Sequence, residues 1–171
     1  AKLLNNIGNI YLYQGRNEEA IEYYLRSLEI AEVLDNFKMI ASIVNNVGLI
    51  YLNLQDYENA LSYLKRALTL RTHLNSHHDT AHSLNNVGIA YHHLGKSIEA
   101  VEHLEKALAI EEDLDDKSGM ACTLSMLGIC YLETQEYDKA LKNYKRSRSL
   151  YEDIGDRNGI AASLINEGSI A

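Results

Sequence analysis

The residues best equipped for chemistry in this 171-residue sequence are its seven histidines, and three of them, His77, His78 and His82, stand close together. On one helix face the i, i+4 pair His78 and His82 could share a metal ion. Asp79 is adjacent, but no carboxylate or cysteine completes a tight ligand set by spacing. No metal site and no cofactor are therefore expected, and the imidazoles read as solvated or as facing a binding surface. On such a surface His82, His92 and His93 would make binding respond to pH between roughly 5 and 7. The two cysteines, Cys122 and Cys130, fall eight residues apart. Within one helix that is a rise of about 12 Å, beyond the ~7 Å Cα separation a disulfide spans. Two reduced thiols and a reducing compartment follow. There is no phosphate-binding glycine loop and no nucleophile elbow, and the serines and cysteines lack a histidine and an acid at any recognisable spacing. The sequence does not read as an enzyme.

Composition narrows the partners. Hydrophobic residues make up 46% and charged residues 23%. No run approaches the roughly 18 apolar residues a membrane span needs, and no leader pattern precedes the first helical segment. A cytoplasmic protein without membrane contact is the expectation. Net charge is -8, and the basic residues are scattered among acids. Nucleic acid needs a concentrated positive field, so it is excluded as a partner. Proline is absent, which permits long helices throughout.

The elements that position these residues repeat. Leu4-Asn5-Asn6-Ile7-Gly8-Asn9-Ile10-Tyr11 returns as Val44-Asn45-Asn46-Val47-Gly48-Leu49-Ile50-Tyr51 and as Leu84-Asn85-Asn86-Val87-Gly88-Ile89-Ala90-Tyr91. It recurs more loosely from Leu124 to Tyr131, and a fifth start, Leu164 to Gly168, lies near the end. Ala20, Ala60, Ala100 and Ala140 keep the same register, as do Tyr24, Leu64, Leu104 and Tyr144. Within each forty-residue unit, apolar residues fall at helical spacing in two blocks, such as Ile43, Val47, Ile50, Leu54 and Ala60, Leu61, Leu64, Leu68. Each unit is read as two antiparallel helices, with Gly15 and Gly95, or Gln55 and Gln135, in the turn between them. The predicted helices are 2–14, 17–34, 37–54, 57–74, 77–94, 97–114, 117–134, 137–154 and 157–171. The glycine and alanine columns allow close crossing, and Tyr11, Tyr51, Tyr91 and Tyr131 are expected to fill the gap between neighbouring units. Because one pair cannot bury its own apolar faces, the pairs are expected to stack into an all-α, right-handed superhelical solenoid with a concave inner face. It is read as one array over 1–171, with repeats at about 1–36, 37–76, 77–116 and 117–156 and a partial fifth at 157–171.

This pattern resembles the tetratricopeptide repeat family over the whole chain. Leu4, Ile7, Gly8, Tyr11, Ala20, Tyr24 and Ser27 occupy the family's signature slots, the last being Ala67 and Ala107 in the next two units. Where the family usually has a proline near the end of the second helix, this chain has Glu32, and its units are forty residues long instead of the commoner thirty-four. That variant is similar to the forty-residue arrays of spindle-orientation adaptors, of bacterial peptide-sensing regulators and of signalling-enzyme sensor arms, which implies a scaffold that binds a protein or peptide segment.

In such arrays the first helix of each pair lines the groove. Carried over, the resemblance implies a groove of Asn5, Asn9, Leu12 and Tyr13, then Asn45, Asn46, Leu49, Leu52 and Asn53, then His82, Asn85, Asn86, Ile89, His92 and His93, and lastly Cys122, Ser125, Ile129, Leu132 and Glu133. Side-chain amides suit this role because each offers donors and acceptors to a ligand's main chain. Asn6, Asn46, Asn86 and Asn166 could equally bond neighbouring helices. Chaperone-binding relatives grip a C-terminal carboxylate with lysine, asparagine and arginine at slots that here hold Asn5, Asn9, Asn46, His82 and Asn86; the amides are present but the cations are not, so strong binding of such tails is not expected. The basic column Arg26, Arg66, Lys106 and Arg146 reads as surface pairing, with Glu22 and Glu102 four residues before two of its members. Two further readings stay open: a regulatory arm of a longer signalling protein, and a structural array that self-associates through its exposed ends.

Overall fold

The computed structural model describes residues 1–170, and among them are nine α-helices and no strand. They are α1 (Lys2–Tyr13), α2 (Asn17–Val33), α3 (Phe37–Asn53), α4 (Tyr57–His73), α5 (His77–His93), α6 (Ser97–Asp113), α7 (Lys117–Glu133), α8 (Tyr137–Ile154) and α9 (Arg157–Gly168). The all-α expectation holds, and the first eight helices lie within a residue of their predicted bounds. The last was carried to Ala171, which lies outside the described residues, and the helix ends at Gly168.

The turns explain why the register is so regular. Each of the first eight helix ends is followed by a residue in the left-handed conformation, at positions 15, 35, 55, 75, 95, 115, 135 and 155. Only three of these are glycine, and Asp35, Gln55, Asn75, Asp115 and Gln135 adopt positive φ without being so. The next residue closes the helix by donating back to the carbonyl five residues earlier, as in Arg16 N to Tyr11 O at 2.9 Å and Asp116 N to Glu111 O at 2.9 Å. That same residue starts the following helix. Asn36, Asp56 and Asp116 accept side-chain hydrogen bonds from the amides of Met39, Asn59 and Gly119, and Asp156 does so from Asn158 and Gly159. One residue thus ends one helix and caps the next.

By internal packing the chain forms two compact units, residues 1–86 and the residues from 87 onward, the division falling inside α5. In the first unit Ala20, Tyr24, Ile43, Val44, Val47 and Ile50 form the buried core. In the second, Leu104, Leu124, Leu127 and Tyr144 are buried in corresponding slots. The glycine column does what its register predicts. A Cβ on Gly48 would stand 2.7 Å from Leu64 Cγ and 3.3 Å from the Ala60 carbonyl, and Gly88 meets Leu104 and Ala100 at the same distances.

Two residues of the tyrosine column also pack within their own helix pair. Tyr11 stacks on Tyr23 at 5.2 Å and Tyr51 on Tyr63 at 5.5 Å, so these rings bridge the two helices of their own pair. Twelve residues across a tight turn bring the two positions opposite each other. Tyr131 also reaches the preceding repeat, its hydroxyl donating to Glu105 Oε1 at 2.9 Å.

Candidate functional site

Helix α3 turns Ile40, Ala41, Ile43, Val44, Asn45, Val47, Gly48 and Ile50 inward. Steps of three and four residues put Ser42, Asn46, Leu49 and Asn53 on the opposite stripe. Ser42 and Asn53 are exposed, while Asn46, Leu49 and Leu52 are half-buried. The same stripe recurs on α7, with Cys122 and Glu133 exposed and Ser125, Ile129 and Leu132 half-buried. On α1, Asn5, Asn9 and Leu12 are half-buried and Tyr13 is 92% exposed. On α5, His82 and His93 are exposed, and Asn85, Asn86, Ile89 and His92 are half-buried.

In the first unit the amides come together in two places. The buried Tyr24 hydroxyl donates to Asn9 Oδ1 at 2.5 Å, and Asn46 is its second partner. Burial pushes the Tyr24 phenol up, and the Asn46 hydrogen bond opposes it. Asn45 is only 7% exposed. Its Oδ1 accepts from Asn86 Nδ2 and from Arg71 Nη1, both at 3.3 Å. The same Arg71 nitrogen donates to Ser83 Oγ at 2.8 Å and to the Asp79 carbonyl at 3.2 Å. Burial lowers the Arg71 guanidinium below its usual range, and the neighbouring Asp79 charge counters this. Asn45, Asn46 and Asn86 therefore hold helices together.

Asn5 shows what the arginine supplies. It is the first-repeat equivalent of Asn45, but Arg71's slot there is Ala31, and Asn5 Oδ1 is buried without a partner. The column runs Ala31, Arg71, Glu111, Tyr151, a mismatch in an otherwise regular repeat. In the second unit Glu111 accepts from Thr123 Oγ1 at 3.1 Å, in the register of Arg71 and Ser83. Sequence reasoning passed over this column, and its irregularity was the available signal.

Three predicted residues gather in the second unit. His92 Nδ1 lies 3.1 Å from Glu133 Oε2, and Ser97 Oγ donates to the same oxygen at 2.8 Å. The His93 ring is 5.0 Å from His92. Burial first and His92 second lower His93, against the pull of Glu133. In the first unit the His78 and His82 rings meet edge to face at 4.4 Å.

The basic column forms surface pairs as expected, two of them between repeats. Arg26 does reach Glu22 at 3.8 Å, but Arg66 binds Glu32 and Arg146 binds Glu112, each on the second helix of the preceding repeat. Cys122 and Cys130 are both free thiols, the first exposed and the second buried. No helix among the described residues is long and apolar enough to cross a membrane.

A family model described as tetratricopeptide repeat matches residues 39–113 and 119–171, and a second of the same description matches residues 1–32. No curated protein matches the chain. Among solved structures, the apo form of RapI superposes with a TM-score of 0.94 at 25% identity, over 99% of this chain and 62% of that one. BtubC from P. vanneervenii gives 0.84 at 24% identity, over 91% and 64%. Aspartyl phosphate phosphatase F from Bacillus subtilis gives 0.91 at 15% identity, over 99% and 44%, a likeness of fold alone. The chain spans less than two thirds of each of these proteins. The repeat register, the helix pairs and the matching family models together place the chain in the tetratricopeptide repeat family.

Proposed function

We propose that this chain is a protein- or peptide-binding scaffold whose ligand lies on the outward stripes of the first helices. One observation carries the reading: these helices are almost free of charge where they are exposed, and the second helices are not. No Asp, Glu, Lys or Arg occurs from Leu3 to Gly15, from Met39 to Gln55 or from Ser118 to Leu132. By contrast α4 exposes Glu58, Lys65 and Arg66 on its outer side. A half-buried stripe of leucines and amides offers apolar area together with main-chain partners, which is what an extended or helical segment needs. In the first unit residues 45, 46 and 86 contribute chiefly by setting the stripe's shape, Leu49, Leu52, Asn53 and Tyr13 by direct contact, and Asn5, Asn9, Asn85 and His82 by further polar groups. In the second unit Ile89 offers apolar contact and His92, His93 and Glu133 polar groups.

The test is a peptide library selected against the intact chain. Binders should lose affinity about tenfold or more for a Leu49→Asp, Asn53→Ala variant that keeps its helical content, and hold it for an Arg66→Ala, Lys106→Ala variant. The opposite ranking would place the contact surface on the second helices and end this reading.

A further inference from the structure

The first unit contains a cavity of about 360 Å³ lined by Lys38, Ser42, Arg71, Ser76 and Asp79 together with Ala41, Leu74 and Asn75. It is formed by the start of α3, the end of α4 and the turn into α5. That volume lies near the lower end of the range of small-ligand sites and far exceeds the ~30 Å³ share of one water. Its walls depart from the repeat. The slots of Lys38 and Arg71 hold His78 and Glu111 one repeat on, and Ser118 and Tyr151 in the next. Arg71 serves packing through its bonds to Asn45 and Ser83, whereas Lys38 forms no ion pair among the described residues, so packing does not account for the second cation at this junction.

Arg71 is the central group. Its Nη1 is saturated by Asn45, Ser83 and the Asp79 carbonyl, which fixes the guanidinium in a partly buried position. The Nε and Nη2 edge has no acceptor among the described residues, and that edge is the fork that fits a carboxylate or phosphate. Lys38 is exposed on the same wall and forms no ion pair among the described residues. The Ser42 hydroxyl adds a donor, while that of Ser76 is committed to Asp79 Oδ2 at 2.6 Å. One opposing charge, Asp79, also lines the cavity, leaving a net excess of one cation.

We propose that this cavity is an oxyanion subsite that takes one carboxylate or phosphate group, with Lys38 and Arg71 as its cations. The group comes from an acidic side chain of a bound peptide or from free phosphate. The first source rests on the peptide-binding reading above, and the second does not. The site uses the end of a second helix and the starts of two first helices, and none of the slots considered above for carboxylate-tail binding.

Calorimetric titration of the full chain with inorganic phosphate, with a short Glu-containing peptide and with its Gln counterpart tests the proposal. At least one oxyanion should bind saturably, the Gln peptide at least tenfold more weakly than the Glu peptide if the source is a side chain. Lys38→Ala, at an exposed position, should weaken binding about tenfold, and Asp79→Asn should strengthen it. Arg71→Lys, which keeps the charge and loses the fork, should weaken it as well. Binding by phosphate alone identifies the free anion, and binding by the Glu peptide alone identifies the side chain. Phosphate binding retained in the Leu49→Asp, Asn53→Ala variant separates this site from the helix stripe. No saturable signal with either oxyanion, or binding unaltered in Lys38→Ala, overturns the proposal.

Discussion

Arg146 on α8 donates through Nη2 to Oε1 of Glu112 on α6 at 2.5 Å, tying the second helices of successive repeats together. Arg66 and Glu32 do the same in the first unit. Both glutamates occupy the slot where related repeats place a proline, so the longer second helix supplies a carboxylate where a helix stop would otherwise stand. The side chains are 47% and 44% exposed. A pair so open to solvent is worth about 0–1 kcal/mol, and Glu112→Ala should lower stability by no more than that in denaturant unfolding. A larger loss would show that the link carries packing as well as charge.

Gly88 offers a steeper response. Leu104 Cγ and the Ala100 carbonyl leave no room for a Cβ there. Gly88→Leu should cost roughly 1–3 kcal/mol by overpacking, read as a lower thermal midpoint with retained helical content. An unchanged midpoint would mean that α5 and α6 can separate without penalty.

Replacing Arg71 removes a donor from three acceptors at once. Ser83 is fully buried and Asn45 nearly so. Arg71→Leu should destabilise the first unit by about 1–3 kcal/mol, the usual cost of buried polar groups left without partners. Hydrogen exchange should localise the loss to α3, α4 and the start of α5. Uniform loss across the chain would contradict the assignment.

The two thiols should separate cleanly in a reactivity assay. Cys130 is fully buried, and desolvation pushes its thiol up to about 12, so it holds its proton and is shielded from reagents. Cys122 is exposed. Native protein should release one equivalent with a disulfide reagent near pH 8, a second only on unfolding, and none quickly in Cys122→Ser.

His93 sets a direction for acid sensitivity. Its folded-state pKa lies below the ordinary histidine value, chiefly through burial, so the folded protein binds its proton less readily than the unfolded chain. The stability tied to this group is fully present above the unfolded pKa near ~6.5 and is lost as pH falls through that value toward the lower folded one. His93→Gln should flatten the decline in thermal midpoint between pH 7 and 5. A steeper decline in that variant would reverse the sign argued here.

Much of the fold was legible because glycine, alanine and bulky columns obey steric rules that act within one helix pair. Gly48 needs no knowledge of distant residues to predict its neighbour. The Tyr11 column was less legible, since a ring's choice between its own pair and the next depends on helix crossing geometry that spacing does not encode. Asn45 illustrates the limit for the candidate site. Its type and register mark it as a contact amide, yet a cation twenty-six residues away, Arg71, takes its oxygen. Whether an amide is engaged internally depends on which residue fills one slot of another helix, and that slot is Ala31 in one repeat and Arg71 in the next.

The left-handed residues at every twentieth position give this chain a fixed unit of length. A single inserted residue inside a helix would rotate everything after it by about 100°, swapping outward stripe for core before the next turn could correct it. Removing residues 41–80, by contrast, would join Ile40 to Ala81 with each following residue landing in a slot of its own kind. Growth and shortening of such a chain therefore proceed in steps of a whole helix pair, and length variants of this protein should differ by multiples of forty.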